Sequence, residues 1–347
     1  MMLRNLTCWA MAGMLAVPGL VTAADEKPAP NQVLLRLHLA KGQTYRLRLS
    51  NEQTITQMTA GQQQVVRQTS GTDYDFLVEE ANDLGYVTKI TFLAMRMKTD
   101  GPQGKMEYDS QNPPAKVPLA AGVLAGLVGQ SYHVSFAPNG EVRKLEGLAA
   151  LVEKAVLGVE VPDAAQRESI RQTMRTQFGD EAMQQMMGQM LTQFPANPVA
   201  VGDTWQRKQV IAQGFPMVIE SFFALRSRAD GLAKISLRSN IKPNAEAAPM
   251  RMGTTELRMM LAGEQDGELV VEEATGWTAK GRVSQKLTGA MKMMGAQHGP
   301  EGMSIPLTVV TTTEFESLPP APVPAPTPAP APAPTPAPAP APAPATK

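Results

Sequence analysis

Gly85 to Met97 reads GYVTKITFLAMRM. In an extended chain Val87, Lys89 and Thr91 point to one side, and Tyr86, Thr88, Ile90 and Phe92 to the other. Alternation with period two marks a strand that buries one face. Asp83-Leu84-Gly85 supplies the turn ahead of it. The pattern continues outward in both directions. Val33–Leu39, Tyr45–Ser50, Val65–Gln68, Asp73–Glu80, Tyr132–Phe136 and Glu141–Leu145 are strand candidates on this basis. So are Trp205–Ala212, Val218–Ser227, Ala233–Asn240, Thr255–Leu261, Glu268–Glu273, Thr278–Leu287 and Ile305–Phe315. Pro138-Asn139-Gly140, Asp230-Gly231 and Asp266-Gly267 separate several of them. Asn139-Gly140 and Asp266-Gly267 are read as tight hairpins, because their residues tolerate positive φ.

One region breaks the alternation. Leu145 to Phe194 is rich in Ala, Leu, Glu, Gln, Met and Arg. It predicts a helix at Leu148–Leu157 and a second helix opened by Pro162-Asp163, with Pro195 ending the region. Leu119–Val128 also reads as helical, although Gly122 and Gly126 weaken it, and it is too short to span a bilayer.

The two β-rich halves repeat each other weakly. Lys41-Gly42-Gln43-Thr44-Tyr45 matches Val201-Gly202-Asp203-Thr204-Trp205, a glycine turn feeding a strand with an aromatic near its start. Gly85–Phe92 then resembles Gly231–Leu237, with one residue fewer. The predicted fold is therefore mainly β. Two related β-meanders build a large curved antiparallel sheet or open barrel, and a central helical insert covers it.

The ends are different material. Met1–Ala24 carries one charge, Arg4, then an apolar stretch from about Leu6 to Leu20 and the small residues Val21-Thr22-Ala23. Residues 1–23 read as a secretory signal peptide, with an uncleaved anchor as the alternative. Cys8, the chain's one cysteine, falls inside it, so the mature chain has no disulfide and no thiolate chemistry. Residues 319–347 alternate Pro and Ala and hold 14 of the 30 prolines. Proline fixes φ and lacks a donor, so this tail is expected to be extended and disordered. Between the ends lies a β-rich domain, residues 24–318. It divides into a first β half (24–144), the helical insert (145–198) and a second β half (199–318).

Charge excludes some functions. Over the whole chain 32 basic residues balance 32 acidic ones; without Arg4 and Lys347, 30 against 32 leaves −2. No nucleic-acid partner is expected from that balance. The mature histidines His38, His133 and His298 have no partner at metal-ligand spacing. There is no Gly-x-Ser-x-Gly elbow, phosphate loop or dinucleotide fingerprint. The carboxylates of Glu79-Glu80 and Glu272-Glu273 are neighbours on strands, so each pair points to opposite faces. No enzyme activity and no cofactor or metal is expected.

Methionine is the compositional clue, with 18 of 22 between residues 24 and 318. Met183, Met186, Met187 and Met190 recur at i, i+3, i+4 and i+7, one face of a helix. Met291, Met293 and Met294 form a second group, and Met250, Met252, Met259 and Met260 a third. Methionine fills irregular core gaps and also lines adaptable binding surfaces. Thioether capture of Cu(I) is a further alternative. Met183, Met186, Met187, Met190 and Trp205 are the candidate ligand-binding residues. Core packing remains open for all five. Arg46, Arg48, Arg96, Lys98, Arg226, Arg228 and Arg238 alternate within strands and are placed on the outer, solvated face.

The Gly-x-Thr-Tyr start, the hairpin SYHVSFAPNGEVRKLEG ending at Gly147, the helical middle and the Val201–Trp205 restart together carry a resemblance. They resemble an uncharacterised family of exported bacterial proteins, the domain of unknown function numbered six-two-six-three. The resemblance covers most of Val33 to Phe315. It implies secretion and a β-rich fold, and brings no assigned catalytic residue. More loosely, a curved sheet closed by helices is similar to periplasmic lipoprotein carriers and their relatives. The expected function is a non-catalytic exported protein, periplasmic or extracellular, that holds an apolar or lipid-like ligand, or an envelope protein partner, between sheet and helices. The alternative is a structural or interaction scaffold displayed on the Pro-Ala spacer, without a small-molecule ligand. No transmembrane segment is expected in the mature chain.

Overall fold

The computed structural model describes residues 29, 31–59, 61–102, 104–115, 117, 119–159, 168, 171, 194–211, 216–252, 255–295 and 302–319. The expected leader, the Met183–Met190 face and the tail past residue 319 lie outside the described residues.

The first half holds β1 (Gln32–Val33), β2 (Thr44–Thr59), β3 (Gln62–Asn82), β4 (Gly85–Gly101), β5 (Gly104–Asp109), α1 (Leu119–Leu127), β6 (Ser131–Phe136), β7 (Val142–Glu146) and α2 (Leu148–Leu157). The second half holds β8 (Val199–Ala200), β9 (Thr204–Ile211), β10 (Met217–Ala229), β11 (Leu232–Pro243), β12 (Met250–Met252), β13 (Thr255–Glu272), β14 (Thr278–Met294) and β15 (Met303–Leu318). One 13-stranded sheet runs in the order β7-β6-β4-β3-β2-β15-β14-β13-β11-β10-β9, with β5 added on β4 and β12 on β13. Its pairs are antiparallel. β1 and β8 form a separate short pair. Among the described residues no helix is long and apolar enough to cross a membrane.

The repeat seen in sequence is a repeat in structure. Gly42 N–H donates to the Val78 carbonyl at 2.7 Å, Gln43 N–H to Ala40 at 3.1 Å and Val78 N–H to Gln43 at 2.9 Å. In the second half Gly202 N–H donates to Leu225 at 2.8 Å, Asp203 N–H to Ala200 at 3.0 Å and Leu225 N–H to Asp203 at 3.0 Å. Both turn glycines have positive φ, 81° and 99°, which a Cβ would oppose. A bulge follows at the same place in each half, after Val78 against β4 and after Leu225 against β11. The meander β2-β3-β4 is thus rebuilt as β9-β10-β11.

Three strand expectations are corrected. Asp266-Gly267 makes no hairpin: β13 runs straight through it, with Asp266 opposite Arg238 and Ser284. A Cβ at Gly267 would lie 2.5 Å from the Arg282 carbonyl oxygen, and one at Gly263 only 1.9 Å from that of Lys286. These glycines let β13 and β14 close on each other along one face, which bends the sheet. Val65–Gln68 and Asp73–Glu80 are likewise one strand, β3. Val33–Leu39 pairs only at β1 and then continues as an extended strap. The strap is held by Leu37 N–H to the Pro138 carbonyl (2.7 Å) and His38 N–H to Thr275 (2.8 Å). The Tyr86 hydroxyl donates to the Leu37 carbonyl at 2.6 Å.

The strap joins two cores. Leu37 and Leu39 enter a cluster with Tyr74, Phe76, Ile90, Phe92, Tyr132 and the helices, while Val33 and Leu35 enter one with Phe223, Leu225, Ile235 and Val271. α2 buries Leu148, Val152, Ala155 and Val156, spaced i, i+4, i+7 and i+8, and carries Lys154 in its last turn near the negative helix end. Leu148, Val152 and Val156 each contribute about 1.5–3 kcal/mol on removal from water. Most of the few aromatics gather here. Tyr45–Trp277 and Trp277–Phe76 have ring centroids 5.1 Å apart, Tyr74–Phe92 5.5 Å and Phe92–Tyr132 5.4 Å. Burial pushes the Tyr74 hydroxyl up to about 12.

Candidate functional site

The two faces of the sheet differ in kind. On the outer face the cations are neutralised in place. Arg46 holds Asp75 through two hydrogen bonds, and Arg48 and Arg96 both fork onto Asp73. Lys98 pairs with Glu107 and Arg282 with Glu314. Arg228, expected on this face, is turned by the bulge after Leu225 to stand opposite the buried Ala233, where it pairs with Glu273. An open groove of about 340 Å³ lies on this face beside Arg96, Lys98, Glu52, Glu107 and Glu314, where charges of both signs alternate. His133 stands on the surface with Nε2 3.2 Å from the Glu79 carboxylate, and His38 is exposed. Glu272 accepts a hydrogen bond from Thr275. These groups are occupied in holding strands and turns together.

The inner face is organised in rows, because residues directly opposite on successive strands point the same way. One row is polar. It runs Arg207–Ser221–Ser239–Gln265–Gln285–Thr311–Gln53–Gln68–Thr99, each residue opposite the next. Ser221 and Ser239 hydroxyls lie 2.9 Å apart, and Gln53 Nε2 donates to Thr311 Oγ1 at 3.3 Å. Ser239 is fully buried and Thr311 nearly so. On one side of this row lie the two cores already described.

On the other side lies a third apolar cluster: Ile211, Ile219, Ile241, Leu261, Leu287 and Leu307, with Ile55, Met217, Met259, Met291 and Val309 half-buried at its margin. Every one of these residues belongs to a strand. Residue pairing brings the second and third methionine groups together here, with Met259 opposite Met291 and Leu257 opposite Met293. The six core members of the cluster are 1–9% exposed. The space between α1–α2 and the sheet is also filled. Val123, Leu127, Leu148, Val152 and Val156 pack against the sheet at 0–2% exposure. The interface formed by the described helices, expected to receive a ligand, is a packed core.

Arg207 stands apart on the inner face. β9 presents Trp205, Arg207, Gln209 and Ile211 inward and Thr204, Gln206, Lys208 and Val210 outward. Among the described inward positions of the strands on the path from β7 to β9, two carry charge: Arg228, opposite the buried Ala233 and paired with Glu273, and Arg207. Burial lowers its guanidinium pKa, and Glu141 acts in the opposite sense. Glu141 lies beside β7, at the other edge of the sheet, so the two unpaired edges curl towards each other without closing a barrel. Trp205, the described candidate from the sequence, stacks on Phe223 with centroids 5.5 Å apart and 10° between the rings. Met183, Met186, Met187 and Met190 lie outside the described residues. Arg207 and the polar row were not singled out in the sequence.

A model of a family of unknown function, DUF6263, matches residues 83–278. The chain belongs to this family. No curated protein matches it. Membership in DUF6263 therefore brings no assigned reaction or ligand. Among solved structures, one described as lipid–protein interactions in lipovitellin is 7% identical. It covers 83% of this chain and has a TM-score of 0.48, and this chain spans 27% of that chain. An outer-membrane channel from Pseudomonas putida F1 is 8% identical, covering 85% of this chain and 100% of that one at a TM-score of 0.23. DynF from the dynemicin pathway of Micromonospora chersina is 7% identical, covering 89% and 92% at a TM-score of 0.20.

Proposed function

We propose that this DUF6263 protein is an exported, non-catalytic envelope protein that holds an apolar or lipid-like ligand against the inner face of its sheet. The observation that carries the reading is the third apolar cluster, built from strands alone and bordered by a polar row. Half-buried Met217, Met259 and Met291 give that margin a flexible, polarizable surface able to repack around a guest. A ligand there has an apolar wall and hydroxyl and amide groups at one end. The leader-like residues 1–23 support export, and the absence of a catalytic motif in the sequence supports a binding role.

A second reading is a scaffold displayed on the Pro-Ala tail, with no small molecule. The filled contact between α1–α2 and the sheet favours it for that end of the molecule. Native mass spectrometry of the full chain, with a fluorescent fatty-acid probe, separates the two. Co-purifying lipid or saturable probe uptake supports the ligand reading. A protein bare of lipid that takes up no probe leaves the scaffold. Fractionation of cells expressing the full chain tests export, and retention of the uncleaved chain in the cytoplasm overturns it.

A further inference from the structure

Methionine holds particular places on the inner face of β13, β14 and β15. The covered inner positions of these strands are filled by hydrocarbon: Leu257, Leu261, Leu287, Ile305 and Leu307 are buried. Towards the end where β14 hands over to β15, the positions left partly open carry thioethers instead. Met259, Met291 and Met293 are half-buried, and Met303 is 41% exposed. Leucine would meet the apolar demand at these places with better-defined rotamers, so what methionine adds is its sulfur.

Strand pairing draws three of these side chains into one corner. Met293 lies directly opposite Met303. Met291 stands two residues before Met293 on β14 and points to the same side. The Cβ atoms are therefore about 5 Å apart across the strands and about 7 Å apart along β14. A side chain with three rotatable bonds spans such gaps, so the three sulfurs can meet on one point. Met259, opposite Met291, brings a fourth thioether to the margin of the corner. The backbone builds the approach. Gly302 has φ 69°, and a Cβ there would lie 2.5 Å from the Met293 carbonyl oxygen. Glycine thus lets β15 start close against β14 and sets Met303 beside Met293. The exposure of Met303 leaves the corner open to a small ion.

The donor set selects the ion. Thioethers are soft, uncharged ligands that suit Cu(I). Among the described residues no group of three His, Cys, Asp or Glu side chains could hold a metal, so a harder ion finds no comparable place. The absence of a metal expected from histidine and cysteine spacing does not extend to thioethers. We propose that Met291, Met293 and Met303 form a three-sulfur site for a soft monovalent cation, Cu(I). The site stands independently of the apolar-ligand reading above. No ligand has to lose a proton, so affinity stays constant between about pH 7 and about pH 5, where a site of neutral imidazoles weakens.

The test is an anaerobic titration of the full chain with Cu(I), in competition with a chromophoric Cu(I) chelator. Leucine replaces methionine throughout, because that swap keeps volume and apolarity and so keeps the fold. The variants are Met303→Leu alone, the triple change at Met291, Met293 and Met303, the pair Met58 and Met260 on the other face, and the set Met183, Met186, Met187 and Met190. Wild type is expected to bind Cu(I) equally at both pH values, with Zn(II) unable to compete. Met303→Leu, at an exposed position that does not threaten folding, should weaken binding by more than the roughly ten- to hundred-fold typical of losing a group that only orients a ligand. The triple variant should lose the site, and the other two sets should bind as wild type does. Equal affinity in wild type and the triple variant overturns the site. So does a loss confined to the Met183–Met190 set, which moves the ion to that segment. Affinity that falls with acid assigns the ion to histidine and overturns the site as well. A wild type that binds no Cu(I) ends the proposal and leaves the apolar-ligand reading to its own test.

Discussion

Acidification should strip one identifiable contribution from the outer face. The Asp73 carboxylate receives Arg48 Nε and Nη2, each at 2.8 Å, and Arg96 Nη1 and Nη2 at 3.1 and 2.9 Å. Burial alone would raise its pKa, but the two guanidinium forks outweigh it and hold it at about 2, against 3.8 for a free side chain. A depressed carboxyl stabilises the fold above its unfolded pKa and loses that contribution as pH falls through the folded value. In the window between about pH 4 and pH 2 the unfolded chain binds the extra proton, so stability drops with pH. The difference between about 2 and 3.8 corresponds to about 2.4 kcal/mol. The arginine side chains are 37% and 29% exposed, so solvent screening reduces this to about 1–2 kcal/mol. Asp73→Asn keeps the shape and removes the titration. At neutral pH it should cost about 2–3 kcal/mol, because two arginines lose their counter-charge. Urea unfolding of both proteins at steps from about pH 7 to about pH 2 isolates the effect, since all other carboxylates are common to both. The wild type should lose about 1–2 kcal/mol more than Asp73→Asn across the window. Parallel curves would refute the argument.

Three further substitutions test the fold. Gly263→Ala places a Cβ 1.9 Å from the Lys286 carbonyl oxygen and should cost about 3 kcal/mol or prevent folding, by thermal melt. Gly42→Ala meets nothing within 4 Å and pays only for its φ of 81°, about 1 kcal/mol; equal losses at the two sites would remove the crease between β13 and β14. Tyr86→Phe removes the 2.6 Å bond to the Leu37 carbonyl and should cost about 1 kcal/mol, with faster hydrogen exchange at the His38 amide. Unchanged exchange there would show that the strap is held without Tyr86.

Strand faces were legible because each strand carries its own alternation, as Gly85–Met97 does, and α2 spans the same Leu148–Leu157 read from composition. The doubled meander was legible from its glycine turns alone. Strand length was not. Asp266-Gly267 has hairpin chemistry, yet it sits mid-strand because its glycine answers a close approach from β14, a tertiary demand that leaves no local mark. The convergence of Met259 with Met291 is equally invisible, since it depends on which strands pair and in which register. Local rules name the face of a residue; register names its company.

Arg207 was within reach of those local rules. TWQRKQVI places Arg207 beside Lys208 in the middle of a strand, and neighbours on a strand point to opposite faces. If one face of β9 is buried, one of the two cations has to point inward. The same rule separates the carboxylates of Glu272-Glu273, and applied to Arg207-Lys208 it demands an inward cation; the bulge after Val78 suspends it at Glu79-Glu80, where Glu79 meets the outward His133. What the sequence alone could not supply is the rarity of that charge, which appears only once the strands from β7 to β9 are laid side by side: among their described positions the other inward charge is Arg228, turned in by a bulge and paired with Glu273. An inward cation at the edge of an open sheet keeps its hydration partly intact while facing an apolar interior. That placement lowers the cost of burying it.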